Sequence, residues 1–343
     1  MKIEHYVIVF FLAASVLFLV SAYRIQTLEA MDNRTEEYNR NIDQATDDAM
    51  NDMIKVTDSF TKDINLDECA DGFFSSLFSS FGLVNSPTGQ KELAMYIPVM
   101  LVTDIDGFYV MHHSRNSAGS VSAMQWTEKM PYYYSGLIDD PHDPSAAYKF
   151  ILNYRMGDEV SLALTYRGQT KYYDGKYKYL ASLYPGDSMI SAFCEAASVS
   201  GKIFDPKHFD EIRLSAMAYQ VSKKMNFYVN EHNAIARSYG ISYNFELPES
   251  STDSFARAID SISLMVIFQG YPYGVGTDDV YSRFSVSGSR LFKVDRYIIE
   301  KAPDGVSYYH RPGCSHIVDS SKTYATKKKC AEHGAYPCQY CNP

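Results

Sequence analysis

His310, Cys314, Cys338 and Cys341 are the residues of this chain whose types and spacing most directly suggest chemistry. In the segment YHRPGCSHIVDSSKTYATKKKCAEHGAYPCQYCNP, His310 and Cys314 are separated by three residues, Cys338 and Cys341 by two, and Pro337 precedes the second pair. Imidazole and thiolate are soft donors. Two such pairs joined by about two dozen residues can converge on one tetrahedral zinc ion. Four-ligand, thiolate-rich zinc leaves no open position for water, so the expected role is structural: the ion replaces a core in a segment too small to bury one. Tyr308, Tyr309, Ile317 and Tyr336 are the apolar cover expected around it. Cys330 is the spare thiol and could replace His310 as fourth ligand. In an oxidising exterior, Cys314, Cys330, Cys338 and Cys341 could instead form two disulfides. Cys69 and Cys194, far apart in sequence, either pair with each other or are plain buried thiols.

The tail resembles the zinc-binding module of the Ada DNA-repair protein, which uses a C-x3-C pair followed by a C-x2-C pair. GAYPCQYCNP matches the second pair, whereas His310 departs from the first cysteine of that pattern. The resemblance covers about a tenth of the chain and implies a zinc fold. The methyl transfer of that family is not implied, because no methyltransferase partner domain is visible.

Carboxylates offer a second chemistry. VMLVTDIDGFY resembles the nucleophile motif of haloacid-dehalogenase phosphatases, in which Asp104 would attack phosphorus and Asp106 would serve as acid and base. Phe108 departs from the small residue of that motif, and the chain runs on into another strand instead of a crossover helix. The competing reading is an Asp-Gly hairpin turn between two strands, MYIPVMLVT and FYVMHHS. An anchor, a long helix and a VxxVTDxDGxY strand also resemble Cache and other PAS-like extracytoplasmic sensor domains. That resemblance covers residues 24–185 and implies a small-ligand pocket, although no signalling domain follows. His232 lies on an apolar helical stripe and reads as a core histidine; His112-His113 has no partner at metal spacing. The loop QGYPYGVGTDD is turn-rich and lacks a phosphate-loop context.

The elements that must position these residues begin at the amino terminus. Residues 6–22, YVIVFFLAASVLFLVSA, carry no charge, and as a helix they are long enough for a bilayer core. Tyr6 and Tyr23 sit where interfacial aromatics would anchor them. Val20-Ser21-Ala22 also resembles a signal-peptide cleavage site; the thin n-region and the helical continuation favour a retained anchor over residues 1–23. Leu28, Met31, Thr35, Tyr38, Ile42, Ala45, Ala49, Met53, Val56 and Phe60 then recur in threes and fours, which predicts a helix over 24–62. It either pairs with another helix as a stalk or packs on its own domain; Ala45 and Ala49 make a poor zipper.

Beyond it the pattern predicts an α+β domain over 63–302, its first part (63–185) PAS-like. Its parts are a helix at 71–82, hairpins at FILNY–RMGDE–VSLALTY and KYY–DG–KYKYLASLY, and a helix from the Asp205-Pro206 cap to Gly240. After these come a strand at 241–247, a helix at 252–262, a strand at 262–268 and a strand pair near 283–299. Pro303-Asp304-Gly305 is read as a linker into the tail, 303–343.

The composition, 46% hydrophobic with 29 Tyr and one Trp, is that of a folded chain. A net charge of −9 argues against nucleic-acid partners. The expectation is a non-enzymatic, single-pass membrane protein of a bacterial envelope, with most of the chain outside the cytoplasm. It would serve a surface machine such as a pilus, secretion or conjugation apparatus, with the lipid bilayer as partner of residues 6–22 and a second copy or an envelope-complex subunit as partner of the stalk helix. A Cache-like ligand-binding module and a phosphatase built on Asp104 and Asp106 are the alternatives.

Overall fold

The first element, α1 (Ile3–Met53), is one continuous helix of 51 residues. The structure is a computed structural model and describes residues 3–56, 62–115, 121–237, 255, 258–275, 278–288, 297–302, 305–310, 314, 316–317, 323–324, 330–331 and 333–340. The two halves of α1 differ sharply. Phe10, Phe11, Leu17 and Phe18 are exposed, and this part is long and apolar enough to cross a membrane. Further along, Tyr38, Ile42, Ala45, Ala49 and Met53 are buried. The stripe of threes and fours therefore packs on its own domain. The helix stops at Met53, short of residue 62. The β-branched Ile54 and Val56 enter β1 (Ile54–Val56), which pairs antiparallel with β2 (Lys62–Ile64). The Asn65 N–H then donates to the Met53 carbonyl (3.1 Å), satisfying one of the acceptors left open at the helix end.

Asn65 also caps α2 (Leu66–Ser80), its side chain accepting from Glu68 N–H, so this helix starts five residues before the expected 71. Phe73 and Leu77 form its buried side and α1 lies against it. Ser86 caps the short α3 (Pro87–Ala94), with proline in the first turn. Next come β3 (Val99–Asp104), β4 (Gly107–Arg115) and β5 (Val121–Trp126), then β6 (Tyr132–Asp140), β7 (Asp143–Tyr154), β8 (Glu159–Tyr166) and β9 (Gln169–Lys176). A 3-10 turn (Tyr177–Tyr179), α4 (Leu180–Leu183), α5 (Ser188–Val199), α6 (Phe209–Arg237), β10 (Ser263–Pro272) and β11 (Val280–Gly288) complete this part.

Two antiparallel sheets result, one of five strands in the order β11-β10-β3-β4-β5 and one of four in the order β6-β7-β8-β9. The class is α+β, as the sequence pattern implies. α1 packs on β10 and β11, while α6 packs on β3, β4 and β6. The strongest strand, β10, is buried from Ser263 through Gly270 because both its neighbours and both layers cover it.

Several expectations change. The second hairpin does not turn at Asp174-Gly175, which lie inside β9. The turn is at Arg167-Gly168, both with positive φ (47° and 81°), the pair of left-handed residues that a two-residue hairpin requires. Beyond β9 the chain turns helical instead of forming the expected second strand. α6 begins at Phe209 instead of at the Asp205-Pro206 cap, Asp205 making a separate turn that accepts from Lys207 N–H. The strand at 241–247 and most of the helix at 252–262 lie outside the described residues. β11 pairs with β10, and the strand expected to partner it near 299 belongs elsewhere.

That other strand is β12 (Tyr297–Lys301), part of a second unit, Ser289–Pro343. Its sheet has the order β14-β12-β13-β15, with β13 (Ser307–His310), β14 (Thr323–Tyr324) and β15 (Ala335–Pro337). β12 and β13 pair antiparallel across 302–306, closed by Ala302 N–H to Val306 carbonyl (2.8 Å). Of the segment read as a linker, Pro303 and Asp304 lie outside the described residues, and Gly305 N–H donates to the Ala302 carbonyl (2.9 Å).

Candidate metal centre

The parallel pairing of β13 with β15 places Tyr309 opposite Pro337, and Cys338 N–H donates to the Tyr309 carbonyl at 3.1 Å. This register brings Cys338, just past β15, beside His310 at the end of β13. Proline suits the last position of a short edge strand, where no ladder donor is needed. Cys314 lies four residues on from His310, in a turn closed by Ile317 N–H to the Cys314 carbonyl (3.1 Å). His310 Nδ1 and Cys314 Sγ are 3.4 Å apart. The donor atoms of His310, Cys314 and Cys338 all lie within 4.8 Å of one another, a group able to hold a metal ion.

His310 and Cys338 are buried and Cys314 is half-buried. Burial holds the His310 imidazole below its usual pKa, with His316 adding to the effect and Glu300 opposing it. The neutral ring, the form a metal binds, is favoured. A small cavity of about 350 Å³, lined by Glu300, Tyr308, His316 and Tyr340, runs up to His310 and Cys338. His316 stacks on Tyr340 with ring centroids 3.8 Å apart.

Cys341 lies outside the described residues. Cys330 does not join the donor group. It is fully buried in the apolar cluster of Tyr297, Tyr309 and Ala335, where burial pushes its thiol pKa up. The cover expected from Tyr336 is absent, since this residue is 63% exposed; of the four aromatic and aliphatic residues named for that role, Tyr309 enters the cluster. Cys314 and Cys330 are free thiols, as are Cys69 and Cys194. Burial pushes the Cys69 and Cys194 thiols up to about 12, so both are inert apolar packing groups.

Asp104 and Asp106 flank the β3–β4 turn, and Lys129 Nζ is 2.6 Å from each. Burial alone would pull the Lys129 ammonium down, but hydrogen bonds to the two carboxylates outweigh it and hold it above its usual range. Asp104 Oδ1 also accepts from Ile105 N–H (2.7 Å). Gly107 is required here, because a Cβ at this position would sit 2.5 Å from the Met130 carbonyl oxygen.

His232 is buried as expected, its Nε2–H donating to the Met95 carbonyl (2.9 Å). Its neighbour, which spacing could not reveal, is His113, ring centroid to ring centroid 5.1 Å. Arg213 was also missed: it is 2% exposed, yet charged, and bridges Asp260 (2.6 Å) and Asp210 (3.1 Å).

Comparison with known proteins yields no match: no family model, no curated protein and no solved structure. The local resemblances of the tail and of the Asp-Gly hairpin rest on their residues alone.

Proposed function

We propose that this chain is a non-enzymatic, single-pass membrane protein of a bacterial envelope, acting as a structural or assembly component of a surface machine. One observation carries the reading. The helix that would cross the bilayer is the same helix whose later turns are buried against the central sheet. A flexible tether would only localise a domain. A helix built into the core fixes its height and orientation above the lipid, which an assembly subunit needs and a diffusing enzyme does not.

Polar contacts reinforce that join. Arg283 Nε donates to Asp43, Tyr281 and Arg283 both donate to Asn39 Oδ1 (2.6 Å each), and Ser287 donates to Asp47 (2.6 Å). Residues 6–22 are read as lying in lipid, with the rest outside the cytoplasm. Leu28 and Ile25, exposed between anchor and domain, are the helix positions free to meet a second copy or another envelope subunit.

The tail's metal is read as zinc, held by His310, Cys314, Cys338 and Cys341. Tetrahedral zinc with nitrogen at about 2.0 Å and sulfur at about 2.3 Å has an N···S edge of about 3.5 Å, close to the 3.4 Å observed. Bound there, zinc would supply cross-linking of β13 to the end of β15 and no catalysis.

Photo-crosslinking at Leu28 and Ile25 in native membranes tests the assembly reading. Cross-links to a second copy or to another envelope protein are expected. Lipid adducts alone, together with a monomer on native gels, would contradict it. Phosphoester turnover abolished by Asp104→Asn would replace it with the phosphatase reading.

A further inference from the structure

In the larger unit, β6 is the edge of the four-stranded sheet, and α6 runs alongside it. Between them lies an open cleft of about 640 Å³, a volume within the range of small-molecule sites. We propose that this cleft binds a small organic anion carrying a carboxylate or phosphate on an aromatic body.

Charge is the first argument. The chain carries a net −9, yet the cleft is lined by Lys202 and Lys223 against the single carboxylate of Glu211. His208, also on the wall, has its Nδ1 2.7 Å from the Asp205 carboxylate. Among the described residues neither lysine has a carboxylate within ion-pair distance, whereas Lys129, Lys171 and Lys176 all do. Two exposed ammonium groups lining one cavity attract an oxyanion.

The walls supply the second argument. Tyr133, Tyr134 and Tyr219 are each between 38% and 60% exposed and all line the same cleft. Large rings left open on a concave surface offer faces for stacking and phenol hydroxyls for an anion. Lys223 is already placed, its Nζ 5.6 Å from the Tyr219 ring centre. Lys202 is presented from a left-handed turn (φ 54°), a conformation that a non-glycine residue keeps only when its surroundings enforce it. Those surroundings are Ile138 and Ile203, packed close under Gly201. The floor is fixed as well: buried Gln220 donates to the Tyr133 carbonyl at 3.0 Å, tying helix to strand edge. Lysines, aromatic faces and a rigid floor converge on one volume. Glu211 on the same wall disfavours a second negative group, so a compact anion fits better than a polyanion.

The assembly reading does not depend on this site, and each can fail without the other. The test is ligand-observed NMR on the full chain in detergent micelles, with benzoate, phenyl phosphate, benzyl alcohol and inorganic phosphate as probes. At least one aromatic anion is expected to bind about tenfold or more tighter than benzyl alcohol and inorganic phosphate. Benzoate and phenyl phosphate distinguish the carboxylate from the phosphate source. The K202E/K223E double variant, altered only at exposed positions, should weaken that binding about tenfold or more at an unchanged Tm, and Tyr134→Ala should weaken it too. Dissociation constants for both anions above about 10 mM, equal binding of benzyl alcohol, or undiminished binding by the double variant would overturn the proposal.

Discussion

In Met1–Gly288 one apolar cluster runs from Val99 on β3 through Phe150 and Phe193 to Ile267 on β10; in Ser289–Pro343 the buried cluster is Tyr297, Tyr309, Cys330 and Ala335, with Ile299 against them. The larger unit can afford polar groups inside, such as Arg213 and the His113–His232 pair, because burial elsewhere holds it together. The smaller unit has less to draw on. Among its described residues the apolar cluster is four side chains, too few to stabilise a module of this size, and a bound ion is the cross-link proposed to make up the difference. The only grouped soft donors among its described residues are His310, Cys314 and Cys338. The same difference in means of support should separate the two units in every perturbation.

Metal removal should act most strongly and on one unit alone. Chelation, or Cys338→Ser, is expected to unfold the tail, since structural zinc contributes about 10–16 kcal/mol in comparable small modules. Amide exchange would show β13 and β15 losing protection while β3 and β10 keep theirs. Loss of protection in both units together would erase the contrast.

Next in size is Arg213→Ala. It leaves Asp260 without its cation and opens space beside Met217, so about 3–5 kcal/mol should be lost from the larger unit, with none from the tail. Denaturant midpoints followed by unit-specific exchange check this; a loss under about 1 kcal/mol would show the pair to be solvated and dispensable.

Acid should also discriminate. Burial, and then the neighbouring His113, lower the His232 pKa to about 4 from an ordinary 6.5. The folded state therefore prefers the neutral ring. Its full contribution is present above pH 6.5 and is lost as pH falls from there toward 4, where the unfolded chain takes up the proton first. About 3 kcal/mol should disappear over that window, and His232→Gln should flatten the dependence. An unchanged slope in the variant would assign the pH response to other groups.

Cys330→Ala gives the smallest effect, about 1–2 kcal/mol for a buried thiol, on the tail only and without loss of metal. Isothermal metal titration and tail-specific exchange read the two parts of that expectation separately.

How much could be read from sequence depends on how local each signal is. The α1 stripe was legible because threes and fours are a property of one helix, and the Asp104–Gly107 turn because it is four residues long. Three donors of the metal group were legible because the pairs have close spacing. The exclusion of Cys330 was not, since spacing does not tell which side of a chain faces a core. Arg213 meeting Asp260 and His113 meeting His232 depend on how α6 lies across the sheet, which no periodicity encodes. The Asp174-Gly175 dipeptide was misleading because Arg167-Gly168 offers the same turn chemistry at the register that β8 and β9 adopt. The β6–α6 cleft was invisible for the same reason: its lysines come from the loop after α5 and the middle of α6.

The central claim, that the tail is held by one ion on a defined donor set, is tested most directly by metal analysis of the purified full-length protein and its single variants. One equivalent of zinc is predicted in wild type and in Cys330→Ser, with loss in Cys338→Ser and in His310→Ala. A metal-free wild type with disulfides in the tail, or zinc kept in His310→Ala and lost in Cys330→Ser, would contradict it.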